Sequence, residues 1–338
     1  MSWTAIVGHE SRISALRRAA ERGRLHHALL LSGPDGIGKK MVALHLAASL
    51  LCREAPEGDL CGVCSVCRRV LAGTHPDAQQ VRKREDSRYI VIGDDDDPKS
   101  GVIDSIRGLN NMAYKKPFES ERKVFILDNV DWIRHEAQDA LLKTLAEPPA
   151  DTWFFLIASN AANLRETIRS RALVMKFHGL SDDEVRWIVE SKTASTSADD
   201  IELALASSDG SPGKALAFIA ADGPSELRWL VASISRDALA SPLQVSDAIM
   251  ERIAEAAGSV LEAQRERLIF YLGPLQRVLA PLVSNELPRP DWVESLPPER
   301  LCEVRTAILE TVRDLRLNVR PRLLTDHLFE RIAQHARR

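Results

Sequence analysis

Gly33-Pro34-Asp35-Gly36-Ile37-Gly38-Lys39-Lys40 is the stretch whose reading decides the fold. It fits the G-x-x-x-x-G-K stem of a phosphate-binding loop, in which backbone N–H groups and the Lys meet phosphates and a following Ser or Thr hydroxyl holds Mg²⁺. The residue at that last position is Lys40, and an ammonium cannot coordinate Mg²⁺. Residues 28–31, Ala-Leu-Leu-Leu, predict a short buried parallel strand feeding the loop. Residues 39–51 predict a nearly buried helix leaving it, with apolar positions at Met41, Val42, Leu44, Leu46, Ala47, Leu50 and Leu51. Strand, glycine spacing, lysine and helix agree on a P-loop α/β fold. Its anion-binding residues are Gly33, Gly36, Gly38, Lys39 and Lys40. Whether nucleotide occupies so altered a loop stays open, the alternative being a vestigial loop with solvated lysines.

Outward from the loop, residues 124–128 (Val-Phe-Ile-Leu-Asp) predict a second buried strand and residues 153–158 a third. A helix over 137–146 lies between them, stopped by Glu147-Pro148-Pro149. Such alternation over 1–178 implies a doubly wound parallel sheet with its ligand site beyond the strand carboxyl ends. After Phe177-His178-Gly179 the pattern turns helical. Ser181 to Glu184 reads as a capping box, and residues 179–222 form a small helical domain broken at Gly210-Ser211-Pro212-Gly213. Residues 223–338 form a longer helical region interrupted by a Pro-rich stretch at 287–298. The acidic run 94–97 reads as a solvated loop before a helix over 101–112.

At 338 residues the chain exceeds one ordinary core. With 45% hydrophobic and 28% charged residues it reads as folded. The net charge of −3 and pI near 6.3 exclude a wholly basic surface for DNA. The N-terminal dozen lacks the apolar segment of a signal peptide, and no apolar run is long enough to span a bilayer. A soluble, cytoplasmic protein without membrane contact is expected.

Asp128 ends the second strand, where a P-loop NTPase places the Asp that helps hold Mg²⁺. Asn129 follows it and carries no carboxylate to take a proton from water. Asp131, two residues further round a turn, is expected to point elsewhere. The loss of a metal ligand at Lys40 and of a base at Asn129 argue together against hydrolysis. Cys52, Cys61, Cys64 and Cys67 fall within sixteen residues and suit a closed, structural tetrahedral Zn²⁺ site, one per chain. Free buried thiols or a redox Cys-x-x-Cys are the alternatives, and Cys302 reads as a core thiol. Arg68, Arg69, Arg82, Lys83 and Arg84 flank the cysteines, but without aromatic stacking partners they read as solvated surface rather than a nucleic-acid platform. Arg171, in Thr167-Ile168-Arg169-Ser170-Arg171, is either a surface charge or a guanidinium able to reach a neighbouring chain's γ-phosphate in trans.

Several motifs occur in order: Ile6-Val7-Gly8-His9, His27 to Pro34, the four cysteines, Ala140-Leu141-Leu142-Lys143-Thr144-Leu145-Ala146-Glu147-Pro148-Pro149, and Ser170-Arg171. Together they resemble the AAA+ clamp-loader subunits of bacterial DNA polymerase III, the delta-prime type in particular. The resemblance is specific to about residue 220 and weaker beyond, where Leu317-Asn318-Val319-Arg320-Pro321 contributes. It implies an AAA+ core with a zinc module (1–178), an all-α lid (179–222) and an all-α collar (223–338). It implies a hetero-pentamer with delta and gamma/tau subunits that places the sliding clamp on primer–template DNA at the replisome. In such an assembly this chain is a stator without polymerase or ATPase activity of its own, and Arg171 is its arginine finger. ATP on this chain is doubtful, and Lys214 stands where active relatives carry a lid sensor. Ala172 departs from the usual Ser-Arg-Cys. The competing reading is a gamma/tau-like ATPase that tolerates Lys40.

Overall fold

The computed structural model describes residues 3–81, 90–93, 103–193, 195–279, 290–317 and 319–336. Arg82, Lys83, Arg84, the acidic run 94–97, positions 101–102, positions 287–289 and Asn318 lie outside the described residues. The chain divides into two compact units: Met1–Glu184 with Gly210–Gly213, and Val185–Asp209 with Lys214–Arg338.

The first unit is built on β1 (Ala28–Ser32), β2 (Ala78–Val81), β3 (Lys123–Leu127), β4 (Thr152–Ala158) and β5 (Leu173–Lys176). These form one parallel sheet in the order β2-β3-β4-β1-β5. Its interior strands β1 and β3 are buried at every position, because helices cover both faces; the polar residues they carry, Ser32 and Lys123, stand at strand ends. Around the sheet run α1 (Glu10–Glu21), α2 (Lys39–Leu51), α3 (Ser65–Ala72), α4 (Ile106–Tyr114), α5 (His135–Ala146) and the single turn α6 (Glu166–Arg169). On one face Leu109 of α4 and Leu141 and Leu145 of α5 close over Phe125 and Phe154, whose rings stack at 5.5 Å. The helix leaving the P-loop has the predicted bounds. It is nearly buried as expected, with ten of its thirteen residues inside, although Met41 is 41% exposed and Leu44 only partly buried. The edge strands differ: β2 (Ala-Gln-Gln-Val) carries no apolar run, and β5 carries the short run Leu173-Val174-Met175 largely exposed.

Two buried charges brace this unit. The Asp77 carboxylate accepts from the N–H groups of Phe118, Glu119 and Ser120 at 2.7, 3.0 and 2.8 Å, fixing the turn that leads into β3. The Lys123 ammonium donates to the carbonyls of Met112, Ala113 and Lys115, satisfying the open C-terminal end of α4. Burial pushes its pKa down, against a smaller opposing pull from Asp77. The predicted capping box is present: Glu184 N–H donates to Ser181 Oγ at 3.3 Å and Ser181 N–H to Glu184 Oε2 at 2.8 Å, opening α7 (Asp182–Lys192).

Described residues of the second unit form helices without a strand. After the remainder of α7 come α8 (Ala198–Ser208), α9 (Pro212–Ala220), α10 (Gly223–Ser233), α11 (Pro242–Ala257), α12 (Leu261–Val278), α13 (Pro298–Arg316) and α14 (Pro321–Ala336). Proline opens α9, α11, α13 and α14, where its missing N–H costs no helical bond. Glu226 on α10 ties three helices together. It accepts two bonds from Arg252 of α11, at 2.8 and 3.0 Å, and one from the Tyr271 hydroxyl of α12 at 2.7 Å. Trp292, fully buried, donates from Nε1 to Ile234 O at 2.6 Å. No helix among the described residues is long and apolar enough to cross a membrane.

Candidate functional site

The loop between β1 and α2 has the backbone of a phosphate site. Gly36 and Gly38 sit at φ 76° and 99°, a region that favours glycine, and Gly38 caps α2. Every carbonyl from Gly33 to Ile37 has a donor. Lys39 Nζ, on a residue only 4% exposed, reaches Gly33 O and Pro34 O, both at 2.6 Å. Ser211 Oγ donates to Asp35 O at 2.7 Å, and Gly213 N–H donates to Gly36 O at 3.0 Å. His9 Nε2 lies 2.9 Å from Ile37 O, so the ring proton sits on that nitrogen. A Cβ on Gly213 would meet Gly36 Cα at 2.8 Å, which is why the approach needs glycine. Burial lowers the Lys39 pKa; Asp35 at 3.7 Å, Asp128 and Asp131 pull against that shift.

At the mouth of the loop, Lys40 Nζ stands 3.1 Å from Asp128 Oδ2. The residue that replaces the metal-binding hydroxyl thus supplies a cation to the carboxylate that ends β3. Asn129 adopts a left-handed conformation (φ 55°, ψ 49°) and its N–H donates to Asp128 Oδ1 at 3.1 Å. Asp131 points, as expected, to a different partner: its Oδ2 accepts from the N–H (3.1 Å) and hydroxyl of Ser159 at the end of β4. Ser159, Ser211 and the carbonyl-holding role of His9 carry no sequence motif. They become visible only when the sheet order places β4 beside β1 and the 210–213 turn beside the loop.

The four cysteines come together at the far end of α2, with their Sγ atoms all within 4.8 Å of one another. Cys61 and Cys67 Sγ are 3.9 Å apart, against edges of about 3.8 Å for a tetrahedron with metal–sulfur bonds near 2.3 Å. Backbone N–H groups of Cys64 and Cys67 donate to the sulfurs of Cys61 and Cys64, both at 3.3 Å. Such bonds favour thiolates: the N–H groups of Val63 and then Cys64 bring the Cys61 thiol down to about 6. Burial pushes the Cys64 and Cys67 thiols up. This donor set fits a soft divalent cation: Cys52, Cys61, Cys64 and Cys67 could hold a metal ion. Cys64 also caps α3, and Cys302 is exposed rather than in the core.

Arg171 lies on the turn between α6 and β5, exposed, with its guanidinium donating to Thr167 O at 2.9 Å. Ala172 beside it is buried as part of the hydrophobic core. Of the basic residues flanking the cysteines that are described, Arg69 pairs with Glu119 at 2.7 Å.

A family model described as "DNA polymerase III, delta subunit" matches residues 8–181, just over half of the chain. The chain belongs to the DNA polymerase III delta-subunit family. The matched stretch holds the P-loop, the four cysteines, Asp128, Asn129 and Arg171. Among curated relatives of this family member, DNA polymerase III subunit delta' of Escherichia coli K12 is 32% identical over 204 residues, 60% of this chain and 57% of that one. Subunit delta' of Pseudomonas aeruginosa is 36% identical over 152 residues, 45% of this chain and 43% of that one. Subunit gamma of Buchnera aphidicola from Acyrthosiphon pisum is 31% identical over 180 residues, covering 53% and 46%. The chain spans about half the length of these relatives.

Proposed function

We propose that this chain is a delta-prime-type clamp-loader subunit of DNA polymerase III that hydrolyses no nucleotide itself. It completes a neighbour's ATP site through Arg171. One observation carries the reading: the Lys40 ammonium lies 3.1 Å from Asp128, in the position where an active site needs a divalent cation. With Asn129 in place of a basic carboxylate, neither metal activation nor proton removal is available to an attacking water. Arg171 is exposed on a short turn and, among the described residues, forms no ion pair with an acid, the disposition a guanidinium needs to act on another chain's phosphate. Delta' and gamma relatives match at similar identity, so the choice between them rests on these residues rather than on overall similarity.

In this reading the AAA+ core over 1–178, a helical lid over 179–222 and a helical collar over 223–338 assemble with delta and gamma/tau subunits. The ring loads a sliding clamp on primed DNA in the cytoplasm. The four cysteines hold one structural Zn²⁺, which joins the insertion to the end of α2 and takes no part in chemistry. Reconstitution with gamma/tau and delta tests the proposal. Arg171→Ala should assemble normally yet lower clamp- and DNA-stimulated ATP hydrolysis by at least roughly tenfold, the scale of losing one transition-state guanidinium. An unchanged rate would reject the finger. Mg²⁺-dependent turnover by the isolated chain, abolished by Lys39→Ala, would favour the gamma/tau-like ATPase instead.

A further inference from the structure

Although Lys40 replaces the metal-binding hydroxyl, the backbone of the P-loop is held in anion-binding form. Ser211, Gly213 and His9 hold the carbonyls of Asp35, Gly36 and Ile37. A trans peptide directs its N–H opposite to its C=O, so the N–H groups of Gly36, Ile37 and Gly38 are turned the other way, into the loop. No nucleotide is needed to order them. α2 begins at this point and adds the positive end of its dipole. Two ammonium groups complete the site: Lys39, bonded to the first loop carbonyls, and Lys40 beside Asp128.

We propose that Lys40 is a built-in substitute for the divalent cation, so that this P-loop takes a nucleoside di- or triphosphate free of Mg²⁺. The proposal rests on the reading that Lys40 replaces the metal-binding hydroxyl, and it goes beyond that reading by assigning a ligand. A catalytic P-loop uses Mg²⁺ for two tasks, neutralising phosphate charge and linking the phosphates to the strand-end Asp. Lys40 performs both with a covalently attached charge. It pairs with Asp128 on one side and offers its remaining N–H donors to phosphate oxygens on the other. An ammonium has no bound water to activate, so occupancy brings no turnover. A hydrated Mg²⁺ entering here would face Lys40 instead of a hydroxyl, and the like charges repel. Metal-free binding follows from the same substitution that abolishes metal binding.

Calorimetric titration of the isolated full chain with ADP and ATP, in EDTA and in excess Mg²⁺, tests this. Wild-type chain should bind in EDTA, with Mg²⁺ leaving the affinity unchanged or weaker. Lys40→Thr should weaken binding in EDTA by roughly tenfold or more, the worth of one charge-assisted contact. The same variant should gain affinity when Mg²⁺ is added. Asp128→Asn separates the two roles of that carboxylate. If Asp128 only pairs with Lys40, the variant binds in EDTA as well as wild type or better. If Asp128 is a metal ligand, it loses Mg²⁺-dependent binding. Wild-type binding that requires Mg²⁺, or no heat from either nucleotide at millimolar concentration in EDTA, would overturn the proposal. Thermal unfolding of each variant confirms an intact fold. A chain that binds nothing could still supply Arg171, so failure here is distinguishable from failure of the reconstituted ATPase test.

Discussion

Lys40 Nζ and Asp128 Oδ2 stand 3.1 Å apart, joining the first turn of α2 to the end of β3. The pair is partly exposed, so its direct worth to stability is modest. Its consequence is chemical. A strand-end carboxylate that would share a metal with phosphate is engaged by a side chain of its own chain.

Restoring hydrolysis should therefore take two changes. Asn129→Glu alone should leave phosphate release at background, because the metal ligand is still missing. Lys40→Thr alone should do the same, because the base is missing. Only the combined variant is expected to release phosphate in a Mg²⁺-dependent assay. Activity in Asn129→Glu alone would show that Lys40 tolerates catalytic metal.

Metal analysis of the purified chain should find one equivalent of Zn²⁺. Cys64→Ser should lower that occupancy and bring forward proteolysis within residues 52–73, since a structural metal contributes folding energy directly. Strong chelation should reproduce the effect in wild type. Equal protease resistance with and without metal would count against a structural role.

Lys123→Met removes the donor from three carbonyls at the end of α4 while keeping much of the volume. The expected loss is about 2 kcal/mol in denaturant unfolding, reduced somewhat because burying the ammonium carries its own cost. An unchanged midpoint would mean that water or neighbouring groups satisfy those carbonyls equally well.

Glu226 gives the helical unit a defined acid sensitivity. The Arg252 hydrogen bonds, aided by Tyr271, hold its carboxyl below the ordinary 4.5 against the opposing effect of burial. A depressed carboxyl contributes stability that is fully present above its unfolded value and lost as pH falls through the folded one. Denaturation midpoints of wild type should therefore decline below about pH 4.5. Glu226→Gln should start lower at neutral pH and decline less on acidification. Parallel curves for the two proteins would contradict this assignment.

The sequence made the sheet's centre legible and its edges illegible, for one physical reason. β1, β3 and β4 are buried on both faces and apolar over all but an end residue (Ser32, Lys123 and Thr152), so their runs stand out. β2 and β5 lie at the edges, where Gln79, Gln80 and Lys176 are compatible with strand pairing. Gly33 to Lys40 could be read directly because the anion loop imposes residue types at fixed spacing, and the four cysteines because tetrahedral ligation does the same. The partners of the loop could not. His9, Ser211 and Gly213 reach it from both ends of the unit, and a serine or histidine is compatible with many other surroundings. The predicted core placement of Cys302 failed for the opposite reason: a lone thiol constrains nothing around it, and the helix presents it outward.

Cys64 is both a candidate metal ligand and the N-cap of α3, where its sulfur accepts the N–H of Cys67. From α3, Arg69 reaches Glu119, and Glu119 also faces His75 Nε2 at 3.0 Å. The neighbouring N–H groups converge on Asp77, whose own carbonyl takes the N–H of Val124 in β3. This is an unbroken mechanical linkage from the thiolate cluster to the margin of the sheet. Stripping the metal should therefore loosen more than a surface appendage. Amide exchange at Phe118 to Val124 should quicken along with that of α3, making the β2 side of the core the place where metal depletion is felt.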